Sequence, residues 1–577
     1  MKKLMMAIAA GLVLLSNVAI AKEPSIAELQ DRCNKNHAPD CAALADKYLS
    51  GYGVEKNLSK AAELYTKVCD GGNGRGCVYL ALMYDEGDGD GDGDGVKQDK
   101  LKAEEFYTKA EGFLTKACDA GDADECFRLA WMYDKGKAAN QNKLKAVEFY
   151  TKAVGFLAKV CDSGDARGCS NLAWLYANGE GVKQDKLKAV EFYTKACDAG
   201  DANRCSNLAG MYHVGDGVKQ DKPKAVEFYT KGCNAGDANG CSHLAWMYAN
   251  GEGVKQDKLK AVEFYTKGCD TGDARGCSNL AWLYANGEGV KQDKLKAVEF
   301  YTKGCDAGDE YGCLNIAGMY YGGDGVKQDK LKAVEFYRKA CDAGDKYGCL
   351  YIAGMYYGGD GVKQDKLKAV EFYTKACDAG DASGCLNLGE MYDEGDGVKQ
   401  DKFKAVDLYR KTCDAGNPKG CYNLAWMYEN GEGVKQDKLK AVELYTKACD
   451  VGESGGCINL GAMYYGGKGV KQDNFKAVDL YKKACDAGDA NGCSHLAGMY
   501  YNGKGVKQDI FKSADLYKKA CDAGDVDGCL NLGLMYEYGQ GVRQDNQIAL
   551  DMFGKACDLK SQLGCDNYAR MKRTMGQ

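Results

Sequence analysis

Proline is almost missing, four residues in a chain of 577, which excludes a Pro-rich linker protein. Histidine is as scarce: His37, His213, His243 and His495 are the full set, and they leave little for an imidazole metal centre. No basic block offsets the formal net charge of −6, so nucleic acid is a poor partner. After the first residues, no apolar run approaches the roughly 20 residues that a bilayer-spanning helix needs. Catalytic signatures are missing too. The chain has no Ser-x-x-Lys, Ser-Asp-Asn, Lys-Thr-Gly, Gly-x-Ser-x-Gly or His-Glu-x-x-His, and no phosphate-binding Gly-x-x-x-x-Gly-Lys-Ser/Thr. Ser242-His243 and Ser494-His495 are neighbours in sequence. On a helix they point about 100° apart and do not form a nucleophile–base pair.

What is abundant is glycine, 76 residues, and cysteine, 30. Much glycine with little proline indicates many short turns between helices. Residues 1–21 read as a secretory leader: Lys2 and Lys3, an apolar stretch from Leu4 to Leu15, then the small-x-small site Ala19-Ile20-Ala21. The expected location is therefore periplasmic or secreted, from a bacterial-type cell. No cysteine follows the cleavage site to carry a lipid.

Self-similarity dominates the remainder. Lys183 to Gly200 and Lys291 to Gly308 differ at one position, and Cys161, Cys197, Cys233, Cys269 and Cys305 recur every 36 residues. The spacing widens to 49 residues between Cys69 and Cys118 and to 43 between Cys118 and Cys161. Two helix extensions, at 110–116 and 153–159, and a Gly-Asp expansion near 88–95 account for the surplus. The expected layout is a capping helix within 22–40, 14 repeats across 41–565 and a tail at 566–577.

Each repeat reads as two helices. In helix A, Cys277, Leu280, Ala281 and Tyr284 make one apolar stripe. Asn286-Gly287-Glu288-Gly289 ends it, and Asp293 caps helix B. Helix B is expected to bury Leu295, Ala297, Val298, Phe300 or Tyr301, and Cys305. Neither helix can bury its face alone, so the predicted fold is an all-α solenoid of stacked αα-hairpins.

The cysteines form 15 pairs spaced i, i+8 with none left over. They are Cys33–Cys41, Cys69–Cys77, Cys118–Cys126, Cys161–Cys169, Cys197–Cys205, Cys233–Cys241, Cys269–Cys277 and Cys305–Cys313, followed by Cys341–Cys349, Cys377–Cys385, Cys413–Cys421, Cys449–Cys457, Cys485–Cys493, Cys521–Cys529 and Cys557–Cys565. Even count, export signal and fixed spacing predict a disulfide in each turn between repeats. Zinc is the rival reading. It prefers shorter spacers and usually recruits histidine.

The segment Asp88 to Asp99 places Asp88, Asp90, Asp92 and Asp94 at the first, third, fifth and seventh positions of a calcium loop. Asp99 stands where a bidentate Glu is the rule, and other repeats carry the same Asp. The segment is therefore read as an acidic loop, with calcium as the alternative. No metal or cofactor is otherwise expected.

All five tryptophans, Trp131, Trp174, Trp246, Trp282 and Trp426, stand five residues after the second cysteine of a pair. At 100° per residue this slot lies opposite the core stripe. The same outward face carries the residue two after the cysteine, usually Asn: Asn171, Asn207, Asn279, Asn315 and Asn423 among them. Elsewhere the slot holds Gly210, Gly318, Gly354, Glu390, Ala462, Gly498 or Leu534. A position that alternates between Trp and Gly beside a fixed core behaves as surface. The competing reading is that Trp packs on the adjacent repeat and Gly relieves crowding.

The pattern Cys-x-x-Leu-Ala-x-Met-Tyr, Gly-x-Gly-Val and Lys-Ala-x-x-x-Tyr-x-Lys-x-Cys, seen at Cys241 to Tyr248, Gly251 to Val254 and Lys260 to Cys269, resembles Sel1-like repeats, relatives of the tetratricopeptide repeat. The paired cysteines resemble more narrowly the secreted cysteine-rich Sel1 proteins of Helicobacter. The resemblance covers nearly the whole chain after the leader. It implies a right-handed superhelix whose helices A line a concave groove. Trp and Asn there would offer flat apolar contacts and amide hydrogen bonds to a protein, a peptide or a cell-wall fragment such as peptidoglycan. It also implies an alternative, a penicillin-binding or weak β-lactamase-like hydrolase, for which no catalytic residue set comes across. The residues favour an exported, non-enzymatic binding scaffold.

Overall fold

The computed structural model describes residues 24–50, 54–55, 57–87, 96–137 and 141–576. The leader and the Asp88–Asp94 calcium candidate lie outside the described residues. Within them are thirty α-helices, from Ile26–Asn34 to Gln562–Thr574, and no strand. The chain divides into two units, one running through Gly276 with Glu288–Lys291 added, the other made of Cys277–Gly287 and Gln292 onward. Each is a succession of αα-hairpins with disulfides between adjacent repeats.

The repeat is punctuated by its own side chains. Helix B of one repeat spans Lys330–Asp342, and Asp329 caps it by accepting from the Lys332 N–H at 3.1 Å. Helix A before it, Glu310–Gly322, ends at Gly323 in the left-handed conformation, with φ 76°. Gln328 then donates its side-chain amide to the Tyr321 carbonyl at 2.8 Å, and the Asp329 N–H donates to the Tyr320 carbonyl at 2.9 Å. Lys-Gln-Asp is thus a clasp: Gln closes one helix and Asp opens the next. Gly325, at φ 75°, is needed twice over, since a Cβ there would also lie 2.6 Å from the Lys294 Cβ.

The long helices Lys100–Asp119 and Lys143–Asp162 have 20 residues where other B helices have 13, which absorbs the expected insertions at 110–116 and 153–159. The first helix is Ile26–Asn34, inside the expected cap. Most of the expected tail is the last helix A, where Met571 is buried and Arg570 clamps Glu537 with two bonds of 2.7 Å.

The expected core needs two corrections. Leu295 is not buried but 71% exposed. The stripe of helix B that packs is Ala297, Tyr301, Gly304 and Cys305. Leu295 precedes Ala297 by two residues, about 200° around the helix, and so faces away. In helix A the buried set includes Leu283 beside Leu280 and Ala281, because helix A meets neighbours over a wider arc than one stripe.

Fourteen of the predicted disulfides have Cα–Cα distances of 4.4 to 4.6 Å. No described cysteine is free. Each joins the end of a helix B to the first turn of the next helix A, as Cys305 in Lys294–Asp306 reaches Cys313 in Glu310–Gly322. Gly312 permits that approach, for a Cβ there would lie 3.0 Å from the Cys305 nitrogen. Among the described residues no group of three or more His, Cys, Asp or Glu could hold a metal, and no helix is long and apolar enough to cross a membrane.

Candidate functional site: the outward slots of helix A

The Trp slot is a half-covered surface. Trp174, Trp246, Trp282 and Trp426 are 36% to 42% exposed, and Trp131 is half-buried against the core of the first unit. One face of each ring is spent on packing where partners are near. Trp174 meets Phe127 edge-on at 5.2 Å, Trp246 meets His213 at 5.8 Å, and the Lys402 ammonium stands 6.0 Å over Trp426. These rings pack on neighbouring side chains and stay partly exposed.

The position two after the cysteine is less free than its polarity implies. Asn171 donates to Asp124 at 3.0 Å, and Asn315 donates to the Tyr311 carbonyl of its own helix at 2.8 Å. Asn423 is half-buried. Asn207 is exposed and Asn279 half-buried. Where another residue takes the position it lies on the helix-B tyrosine: His243 on Tyr229 at 5.2 Å, His495 on Tyr481 at 5.0 Å, and Tyr351 on Tyr337 at 5.2 Å. Burial pushes the phenol of Tyr337 up to about 12, as it does those of Tyr229, Tyr481 and Tyr517. These hydroxyls stay neutral at ordinary pH and can both donate and accept.

That tyrosine stands between two slots. Its hydroxyl lies 3.9 Å from where a Cβ on Gly318 would be, while its ring carries Tyr351 of the next helix A. With glycine in place of Trp, the space opens into a cleft of about 350 Å³. Met319 and Tyr337 line it with Leu314 and Asn315, and Tyr351 and Asp324 complete the lining. The two A helices that line it expose further tyrosines. Tyr311, Tyr321, Tyr347, Tyr351 and Tyr357 are 38% to 50% exposed, all on the helices Glu310–Gly322 and Lys346–Gly358. Their signal was present in the doublets Tyr320-Tyr321 and Tyr356-Tyr357, next to slots holding Gly318 and Gly354. The arrangement offers the flat, stiff apolar faces and hydroxyls of Tyr337 and Tyr351 beside an open cleft. It gathers no nucleophile beside a general base.

A family model described as Sel1 repeat matches fourteen segments of the chain: 38–73, 74–111, 126–154, 166–201, 205–237, 238–273, 274–309, 311–345, 346–381, 382–417, 418–453, 454–489, 490–525 and 526–561. Among solved structures, the chain is similar to c5321, a protective antigen of uropathogenic Escherichia coli strains with an SLR fold. The two share 30% identity over 73% of this chain and 90% of that one, with a TM-score of 0.62. A Sel1 repeat protein of Oxalobacter formigenes matches at 25% identity over 54% of this chain and 90% of its own, with a TM-score of 0.48. Helicobacter pylori cysteine rich protein B matches at 33% identity over 23% of this chain and 97% of its own, with a TM-score of 0.20. No curated protein sequence matches the chain.

Proposed function

Starting from the fact that the chain belongs to the Sel1 repeat family, we propose that it is an exported, non-enzymatic scaffold that binds a protein or peptide through the outward slots of helix A. The tyrosine-lined cleft at Gly318 carries the reading. Tyrosine supplies large contact area at small entropic cost, and an open cleft beside it gives a partner an anchor point. The tryptophan slots extend the same chemistry along other repeats, with Trp174, Trp246, Trp282 and Trp426 36% to 42% exposed. Export fits the leader-like start and the disulfide-bonded cysteines. A cell-wall peptide is a ligand of the same chemical kind.

The test is selection of displayed random peptides on immobilised oxidised protein, repeated with Gly318→Trp and with Trp246→Ala plus Trp282→Ala. The expected result is an enriched set whose capture falls about tenfold in at least one variant. Failure to enrich any peptide, or capture indifferent to all these changes, would remove the proposal.

A further inference from the structure

The exposed leucine of helix B recurs as a row. In the second unit Leu331, Leu367, Phe403, Leu439, Phe475 and Phe511 occupy this position and are 68% to 75% exposed. The loop of the following repeat rests on the same turn: a Cβ on Gly469 would lie 2.6 Å from the Lys438 carbonyl oxygen, and one on Gly505 would lie 2.2 Å from that of Asn474. Row and loops therefore share an edge.

The charge of that edge changes along the chain. Lys330 pairs with Asp360, Lys366 with Asp396 and Lys402 with Glu432. One repeat later the corresponding positions hold Lys438 and Lys468, and then Asn474 and Lys504. Neither Lys438 nor Lys468 has a carboxylate at ion-pair distance among the described residues, and Lys504 donates to the Tyr465 hydroxyl at 2.6 Å. Of the carboxylates nearby, Asp437, Asp473 and Asp509 cap helices, Glu429 holds Tyr445 and Glu443 holds Lys440, while Asp479 and Asp515 are exposed on the same helices as Phe475 and Phe511. Exposed Lys435, Lys471 and Lys507 add to the same edge. Over this stretch the apolar residue is Leu439, then Phe475 and Phe511.

We propose that the edge from Lys435 to Lys512 docks on a membrane surface rich in anionic phospholipid. Isolated apolar side chains, one per repeat and set among lysines, do not make the contiguous apolar centre of a protein interface. They do match the boundary of a bilayer, where each ring enters the acyl region separately and the ammonium groups meet phosphates. The charge reversal at Lys468 and Lys504 is complementary to that surface, and neither lysine has a carboxylate partner among the described residues. This edge is distinct from the helix-A slots, and the two proposals stand or fall separately.

The test is flotation of the full oxidised chain with vesicles of phosphatidylcholine containing about one third phosphatidylglycerol, against pure phosphatidylcholine. Two variants are compared: Phe475→Ser with Phe511→Ser, and Lys468→Glu with Lys504→Glu. The second restores at Lys438 the pairing that Lys402 has with Glu432, so it keeps the fold, and circular dichroism checks both. The expected result is flotation on the anionic vesicles alone, weakened by salt and reduced about tenfold in each variant. The proposal is overturned if the chain does not float, if it floats equally on phosphatidylcholine, or if either folded variant floats like the parent. Retention by the phenylalanine variant would mark a mere polyanion site and counts against it.

Discussion

The Lys330 ammonium and the Asp360 carboxylate lie 2.6 Å apart, thirty residues separated in sequence, at the seam between consecutive repeats. The Tyr321 hydroxyl donates to the same carboxylate at 2.9 Å. Hydrogen bonds from Lys330 and Tyr321 hold the Asp360 carboxyl below its usual range. A depressed carboxyl stabilises the fold above its unfolded value and ceases to do so as pH falls through its folded value. Asp360→Asn should therefore lower the melting temperature slightly at neutral pH, with the difference vanishing in acid and shrinking in high salt. A difference that grows on acidification would refute the assignment.

Reduction should act on every seam. The chain-entropy estimate for so short a loop is about 2.5 kcal/mol per bridge, and the contributions need not add. Thiol titration of the native oxidised chain should find almost nothing, and titration after reduction in denaturant should find all 30. Urea unfolding of Cys305→Ser with Cys313→Ser should show a lower midpoint than the parent. An unchanged midpoint would mean that this bridge does not constrain the unfolded chain.

Leu280 and Leu295 are the same residue in opposite surroundings, the first fully buried and the second 71% exposed. Leu280→Ala should cost about 2–5 kcal/mol. Leu295→Ser should stay within about 0.5 kcal/mol. Denaturant midpoints on the two variants decide it, and equal losses would return Leu295 to the core.

Two glycines seven residues apart should respond oppositely. Gly318→Trp places a ring where five other repeats carry one, so the melting temperature should change little while the cleft fills. Gly325→Ala meets both a left-handed backbone and the Lys294 side chain, and should cost about 1–3 kcal/mol. Comparable losses at both positions would show that the first is not an open slot.

A chromogenic cephalosporin incubated with the oxidised chain should be turned over no faster than with a heat-unfolded control. Faster turnover would replace the binding reading with a hydrolase.

Much of this fold was legible because its punctuation is local. Asp329 and Gly323 announce helix ends within a few residues of themselves, and Cys305 pairs with Cys313 across a turn too short to allow other partners. The outward direction of Trp246 followed from helical periodicity alone. The burial of Leu295 was misjudged because its apolar character was weighed above its angle, about 200° around the helix from Ala297. The cleft was not legible because it needs Gly318, Tyr337 and Tyr351 from three successive helices, and its volume is set by an atom that glycine lacks. The amide of Asn171 read as open polarity, since its partner Asp124 lies on another helix far off in sequence.

The placement of each bridge between repeats has a further consequence for how such a gene can grow. One 36-residue period carries the second cysteine of one bridge near its start and the first cysteine of the next near its end, as Cys313 and Cys341 do. Tandem duplication or deletion of one period, wherever the breakpoints fall, leaves every thiol with a mate eight residues away and every helix with its Gln-Asp clasp. Array length can thus drift by whole units through recombination without passing through an orphaned cysteine or an uncapped helix. Selection is then free to act on the outward slots of each new copy.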